Sequence, residues 1–137
     1  FVRSLLGRKC RFDLWEPNLF LSARALPKDE AHIEYGDNIK RAYTYKALNR
    51  LIQSSAADQT KAAMAAVYKE KNKIPLVQIH DELAFSVASA DEAKELCIIM
   101  EQALQLEVPS PSDISLGPNW GTLTTLDKSD SFPESKD

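Results

Sequence analysis

The residues best suited to chemistry stand together in Gln78-Ile79-His80-Asp81-Glu82-Leu83, where a histidine and two carboxylates interrupt an otherwise apolar run. Adjacent carboxylates at a tight turn repel each other, and a divalent cation relieves that repulsion through the oxygen ligands Mg²⁺ prefers. One carboxylate is enough if another chain segment supplies the next. The same residues also describe an ordinary solvent-facing Asp-Glu turn beside a half-buried histidine. A second set is basic: Arg41, Lys46, Arg50 and Lys61 lie on or near one Ala-rich stretch, and Arg8 and Lys9 add to them. Such side chains neutralise phosphates when they line one surface and are otherwise ordinary solvated bases. Cys10 and Cys97 are far apart, with neither a Cys-x-x-Cys pair nor a Cys/His cluster, so neither a disulfide framework nor a zinc site is expected. That usage fits a reducing cytoplasm.

The elements that must position these residues follow from turn signals and periodicity. Val2 to Phe12 reads as a hairpin turning at Leu5-Leu6-Gly7-Arg8. Residues 13–37, with Pro17, Pro27 and Gly36, read as a connecting excursion holding one short helix. From Asn38 to Asn72 there is neither Pro nor Gly and Ala recurs, which predicts a helix capped by Asp37 or Asn38. Its apolar stripe is Leu48, Leu51, Ile52, Ala56, Ala63 and Val67, with a break expected near Arg50–Ser54. Pro75 stops it, and residues 76–87 form a hairpin with His80-Asp81-Glu82 at its tip. Asp91 to Leu106 returns to helical spacing, capped by Ser89 or Asp91, with a stripe expected to cover the hairpin's sheet. Asp113 to Leu116 predicts an edge strand before Gly117-Pro118. Beyond Leu126 the chain is polar and disorder is expected. The fold class is α+β: long helices packed on a small antiparallel sheet, with an N-terminal hairpin.

The chain has 137 residues, 44% of them apolar, enough for about one domain with a moderate core. A net charge of −3 argues against a polybasic chain that binds by bulk charge. The charge is unevenly placed. Residues 1–73 carry fourteen Lys/Arg and eight Asp/Glu, whereas residues 74–137 carry three and twelve. A basic half can lie along a phosphate backbone, and an acidic half can gather divalent cations or simply stay solvated. No run approaches the ~20 apolar residues needed to cross a bilayer, and the start lacks a signal-peptide layout. Phe1 in place of Met, opening directly into a strand-like pattern, leads us to expect a piece of something longer.

Four segments in order carry a family resemblance: Leu5-Leu6-Gly7-Arg8-Lys9; Asn49-Arg50-Leu51-Ile52-Gln53-Ser54-Ser55-Ala56-Ala57-Asp58; Gln78-Ile79-His80-Asp81-Glu82-Leu83; and Gly117-Pro118-Asn119-Trp120. Together they resemble the C-terminal end of family A DNA polymerases, the bacterial polymerase I type and its phage relatives. The family's palm motif is usually written Val-His-Asp-Glu at a hairpin turn, and here Ile79 replaces Val. Its N-x-x-x-Q-G-x-A-A-D stretch appears with Ser54 at the usual Gly. The phage type looks closest, residues 13–37 reading as an insertion absent from compact bacterial enzymes.

The resemblance implies that residues 1–126 are the C-terminal part of the palm and fingers base, followed by a disordered tail at 127–137. It implies that Asp81, with a second aspartate from an earlier strand, holds two Mg²⁺ ions. These lower the pKa of the primer 3′-hydroxyl and steady the triphosphate for in-line attack. Glu82 resembles a neighbouring carboxylate that tunes the site, and His80 a residue that touches the primer terminus. Gln53 and Asn49 match side chains that reach the minor groove, where every Watson–Crick pair presents acceptors in nearly the same places. Without the resemblance, Gln53 is a polar residue capping a helix break. Arg41, Lys46 and Arg50 join the DNA-binding set, while Trp120 is expected to pack the C-terminal strand. The implied partners are primer–template DNA, deoxynucleoside triphosphates and the N-terminal remainder of the polymerase, in the cytoplasm of a bacterial or phage-infected cell and without a membrane. The first catalytic aspartate, the triphosphate-gripping fingers helix and exonuclease carboxylates are not found in the sequence, so the chain is expected to be inactive alone. The competing readings are a non-catalytic DNA-binding remnant, a subunit of a split polymerase, and a helical interaction module with an incidental His-Asp-Glu turn.

Overall fold

The computed structural model describes residues 1–19 and 23–127, so residues 128–137 of the expected disordered tail lie outside it. Two compact units divide after Asp58, within a long helix. The architecture is α+β, with helices and small sheets that are antiparallel throughout.

The first unit opens with the expected hairpin. Strand β1 (Val2–Arg3) pairs with β2 (Lys9–Cys10), Val2 opposite Cys10. Gly7 at φ +81° makes the turn possible, a conformation that costs a residue with a Cβ dearly. Residues 13–37 contain the expected short helix and two strands that the sequence did not announce. Strand β3 (Leu14–Pro17) is central between β4 (Leu26–Pro27) and β5 (Ile39–Arg41). Helix α1 (Lys28–Tyr35) follows β4 directly, with Asp29 and Glu30 complementing its first free amides and Gly36 ending it.

Residues 38–46 correct the long-helix expectation. They form strand β5 and a 3₁₀ turn at Thr44–Lys46, so neither Asp37 nor Asn38 is the cap. The pairing of Ile39 with Pro17 and Lys40 with Glu16 outweighs local helix preference there. Helix α2 (Ala47–Lys71) then runs 25 residues without the break expected near Arg50–Ser54. Ser54 and Ser55 turn their hydroxyls back onto the Leu51 carbonyl at 3.1 and 2.8 Å, so the helix passes through them. The stripe holds only in part: Ala63 and Val67 are buried, but Leu48 and Ile52 are 67% and 57% exposed. Asn72, at φ +52°, closes the helix with its amide on the Tyr68 carbonyl before Pro75 is reached.

In the second unit, β6 (Val77–Ile79) and β7 (Glu82–Ala84) form the expected hairpin. Helix α3 (Ala90–Gln102) is capped by Ser89, whose hydroxyl accepts from the Glu92 amide at 3.2 Å. Glu92 reciprocates by accepting from the Ala88 amide, a variant of the capping box. Strand β8 (Ile114–Leu116) pairs with β9 (Thr124–Leu126).

The core formed by the stripe of α3 meets the 76–87 segment at Phe85 and Val87, just past β7. Leu96 and Ile99 pack on Val67 of α2 with Ala66, Phe85, Val87 and Met100, while Cys97 packs on Ile114 and Leu126. The β8–β9 ribbon offers α3 two buried apolar side chains, whereas all three residues of β6 are exposed. Trp120, expected to pack the C-terminal strand, lies in the β8–β9 loop and is 53% exposed. Among the described residues, no helix is long and apolar enough to cross a membrane.

Candidate functional site

Ile79 pairs with Glu82, leaving His80 and Asp81 as a two-residue turn. Such turns demand a positive φ, and His80 supplies it at +52°. The Gln78 side-chain amide donates to the His80 carbonyl at 2.9 Å and braces the tip from within the strand. Asp81 and Glu82 are both exposed, and neither takes part in an ion pair among the described residues. The turn therefore presents two adjacent carboxylates outward. Among the described residues no third His, Cys, Asp or Glu joins them into a metal-sized cluster.

The other site candidates lie in the first unit. Asn49 and Gln53, four residues apart on α2, share one helix face and are both exposed. Arg50 donates to the Arg11 carbonyl at 2.7 Å and lies over the Phe12 ring. Arg41 does the same for the Phe12 carbonyl at 2.7 Å and stacks on Trp15, its carbon 4.8 Å from the ring centroid. Each guanidinium has five N–H donors, so these contacts orient it and leave others for a ligand. Lys46 sits 5.2 Å from the Tyr43 ring and 5.6 Å from that of Tyr45. Lys9 stands over Phe1, and Lys61 is exposed on α2. The aromatic faces beneath these cations were not singled out in the sequence; Phe12 and Trp15 meet Arg50 and Arg41 across distant segments, whereas Tyr43 meets Lys46 within one local turn.

Asp58 entered the sequence reading only as the last residue of the family stretch, with no role of its own. Its side chain is 7% exposed and pairs with the Arg8 guanidinium at 2.6 Å. Arg8 donates in addition to the Ser54 carbonyl at 2.8 Å. The Leu5 amide donates to the Ser55 hydroxyl at 3.0 Å, and the Leu6 amide to Asp58 at 3.4 Å. The Ser4 hydroxyl, then the Leu6 amide and the Arg8 charge, hold the Asp58 carboxyl below the ordinary carboxylate range against the opposing effect of burial. The turn of β1–β2 is thereby stitched to the middle of α2.

Comparison with known proteins supplies the family. The family model for DNA polymerase family A matches residues 1–122. A DNA-directed DNA polymerase of Pseudomonas phage M6 is 40% identical over 121 residues, 88% of this chain and 15% of that protein. DNA polymerase I of Bacillus subtilis is 42% identical over 91 residues, and that of Treponema pallidum 38% over 98; these cover 61% and 65% of this chain and 10% of each relative. The chain thus spans a small fraction of the length of the relatives it matches. No solved structure matches it. With nearly its whole described length matched by the family model, the chain belongs to DNA polymerase family A.

Proposed function

We propose that this chain is the C-terminal palm segment, with the base of the fingers, of a template-directed DNA polymerase. In this reading it contributes one metal-binding aspartate and the contacts to primer–template DNA. The observation that supports it most is the outward-facing carboxylate of Asp81 at the tip of a two-residue hairpin turn, in a chain matched by the polymerase family. His80 precedes it at the primer terminus, and Glu82 follows as a second carboxylate.

The donor set suits Mg²⁺. That ion is commonly held by one or two carboxylates together with water and substrate phosphates. Asp81 and Glu82 are hard oxygen donors with no competing cation among the described residues. Among the described residues no further carboxylate joins them, and in this reading the next one comes from another part of the polymerase. When bound, the metal supplies charge neutralisation at the triphosphate and acidifies the attacking hydroxyl. The chain's own part is to hold the Asp81 carboxylate on a braced turn, with the Gln78 amide fixing the His80 carbonyl. Asn49 and Gln53 meet the minor groove with amide donors, a test of pair geometry indifferent to sequence. Arg41, Lys46 and Arg50 meet phosphates.

A chimera tests the reading, with this segment replacing the matching 121 residues of the phage M6 polymerase. Asp81→Asn keeps the shape of the side chain and removes its charge. Its turnover should fall by several orders of magnitude, whereas Glu82→Gln should cost far less. Comparable losses from both would show that the ligand assignment is wrong.

A further inference from the structure

The polar side chains buried among the described residues are Ser4, Asp58 and Thr60, and the first two meet at one junction. A carboxylate taken out of water has to be paired or hydrogen-bonded. Asp58 has the Arg8 guanidinium, the Leu6 amide and the Ser4 hydroxyl. Every attachment of the β1–β2 turn to α2 described above lands on Ser54, Ser55 or Asp58. These residues begin immediately after Gln53 and leave the Asn49–Gln53 face uncovered. Arg8 looks in the sequence like one more phosphate contact beside Lys9, yet its charge is matched by Asp58.

We propose that Arg8 and Asp58 are positioning residues for nucleotidyl transfer: their ion pair seats the β1–β2 turn on α2 just past Gln53 and so fixes the face from which Gln53 and Asn49 meet DNA. The inference rests on the proposed minor-groove role of Gln53. A reading group displaced by about 1 Å can lose up to about 100-fold in rate, so a loosened seat should be visible in kinetics although neither residue touches substrate.

The same chimera tests it with Asp58→Asn, Arg8→Ala and Arg8→Lys. The expected result has both Asp58→Asn and Arg8→Ala lowering incorporation at saturating primer–template by about ten- to a hundredfold. In both, the ratio of rates on primers ending in guanine and in 3-deazaguanine should fall toward one, and hydrogen exchange at the Leu5 and Leu6 amides should accelerate. Arg8→Lys, which keeps the charge, should lie between them and wild type; should Arg8→Ala not fold, it and the isosteric Asp58→Asn carry the test. A phosphate-binding Arg8 predicts opposite signs. Arg8→Ala would then weaken DNA binding and flatten its salt dependence, whereas Asp58→Asn, which frees the guanidinium, would tighten it. Opposite signs, or a guanine to 3-deazaguanine ratio unchanged in both variants, overturn the proposal. Gln53→Ala is the control. If it leaves that ratio at the wild-type value, the minor-groove reading falls and this inference with it; if it collapses the ratio while Asp58→Asn does not, this inference alone falls.

Discussion

Gln53 is the residue at which the functional and the merely structural reading separate. As the cap of a helix break it would have a local partner, but α2 is continuous through it and its side chain is exposed. An exposed amide on a continuous helix contributes little to folding, so Gln53→Ala should leave the melting temperature of the chimeric polymerase nearly unchanged. If the amide donates to a minor-groove acceptor in the transition state, its loss costs roughly 1–3 kcal/mol, about ten- to a hundredfold in rate. The slowing should be similar for all four matched pairs, because the acceptor is common to them. A lowered melting temperature with normal single-turnover rates would reverse the assignment. Arg50 is a poorer probe: its removal also strips the Arg11 carbonyl of a donor and the Phe12 ring of its cover, mixing folding with binding.

At the scale of elements, the Gly117-Pro118-Asn119-Trp120 loop owes its shape to its first residue. A Cβ on Gly117 would lie 2.1 Å from the Thr122 carbonyl oxygen, whereas one on Gly121 would meet only the Asn119 side chain at 3.4 Å. Gly117→Ala must therefore push the β8–β9 connection apart, and a cost of about 1–3 kcal/mol is expected from such overpacking. Gly121→Ala should be nearly neutral, and equal shifts in thermal denaturation would refute the steric argument. What the sequence made legible were elements whose signals are local. The β1–β2 turn announces itself through Gly7, α3 through Ser89 and its apolar spacing, and the His80-Asp81 tip through the apolar residues on either side. What it concealed depends on distant partners. Strand β3 contains Pro17 and β4 contains Pro27, which read as breakers until their places at strand ends and a sheet edge are seen. Strand β5 reads as helix until β3 is there to pair with it. The Arg8–Asp58 contact joins residues fifty positions apart, for which no periodicity gives a signal.

Across the whole molecule, the division into a basic and an acidic half is partly spent internally. Lys71 pairs with Glu95 and Lys73 with Glu92, both at 2.5 Å, and Glu95 raises the Lys71 pKa. The exposed Lys71–Glu95 pair and the half-buried Lys73–Glu92 pair tie the end of α2 and the residues after it to α3, and they remove some of the charge that the sequence had set aside for ligands; the exposed pair is worth little by itself. Among the described residues Asp81 and Glu82 have no ion-pair partner, so the hairpin tip carries a local negative field. A field of that kind attracts Mg²⁺, but two carboxylates do not complete a two-metal site, and no third ligand gathers there among the described residues. The 137-residue chain by itself should therefore show no template-dependent incorporation on primed DNA with Mg²⁺ and all four triphosphates. Fused behind the preceding portion of the phage M6 polymerase, it should extend the same primer, and Asp81→Asn should abolish that extension. Incorporation by the isolated chain would mean that its own carboxylates suffice for the metal site, and the division of labour proposed here would be wrong.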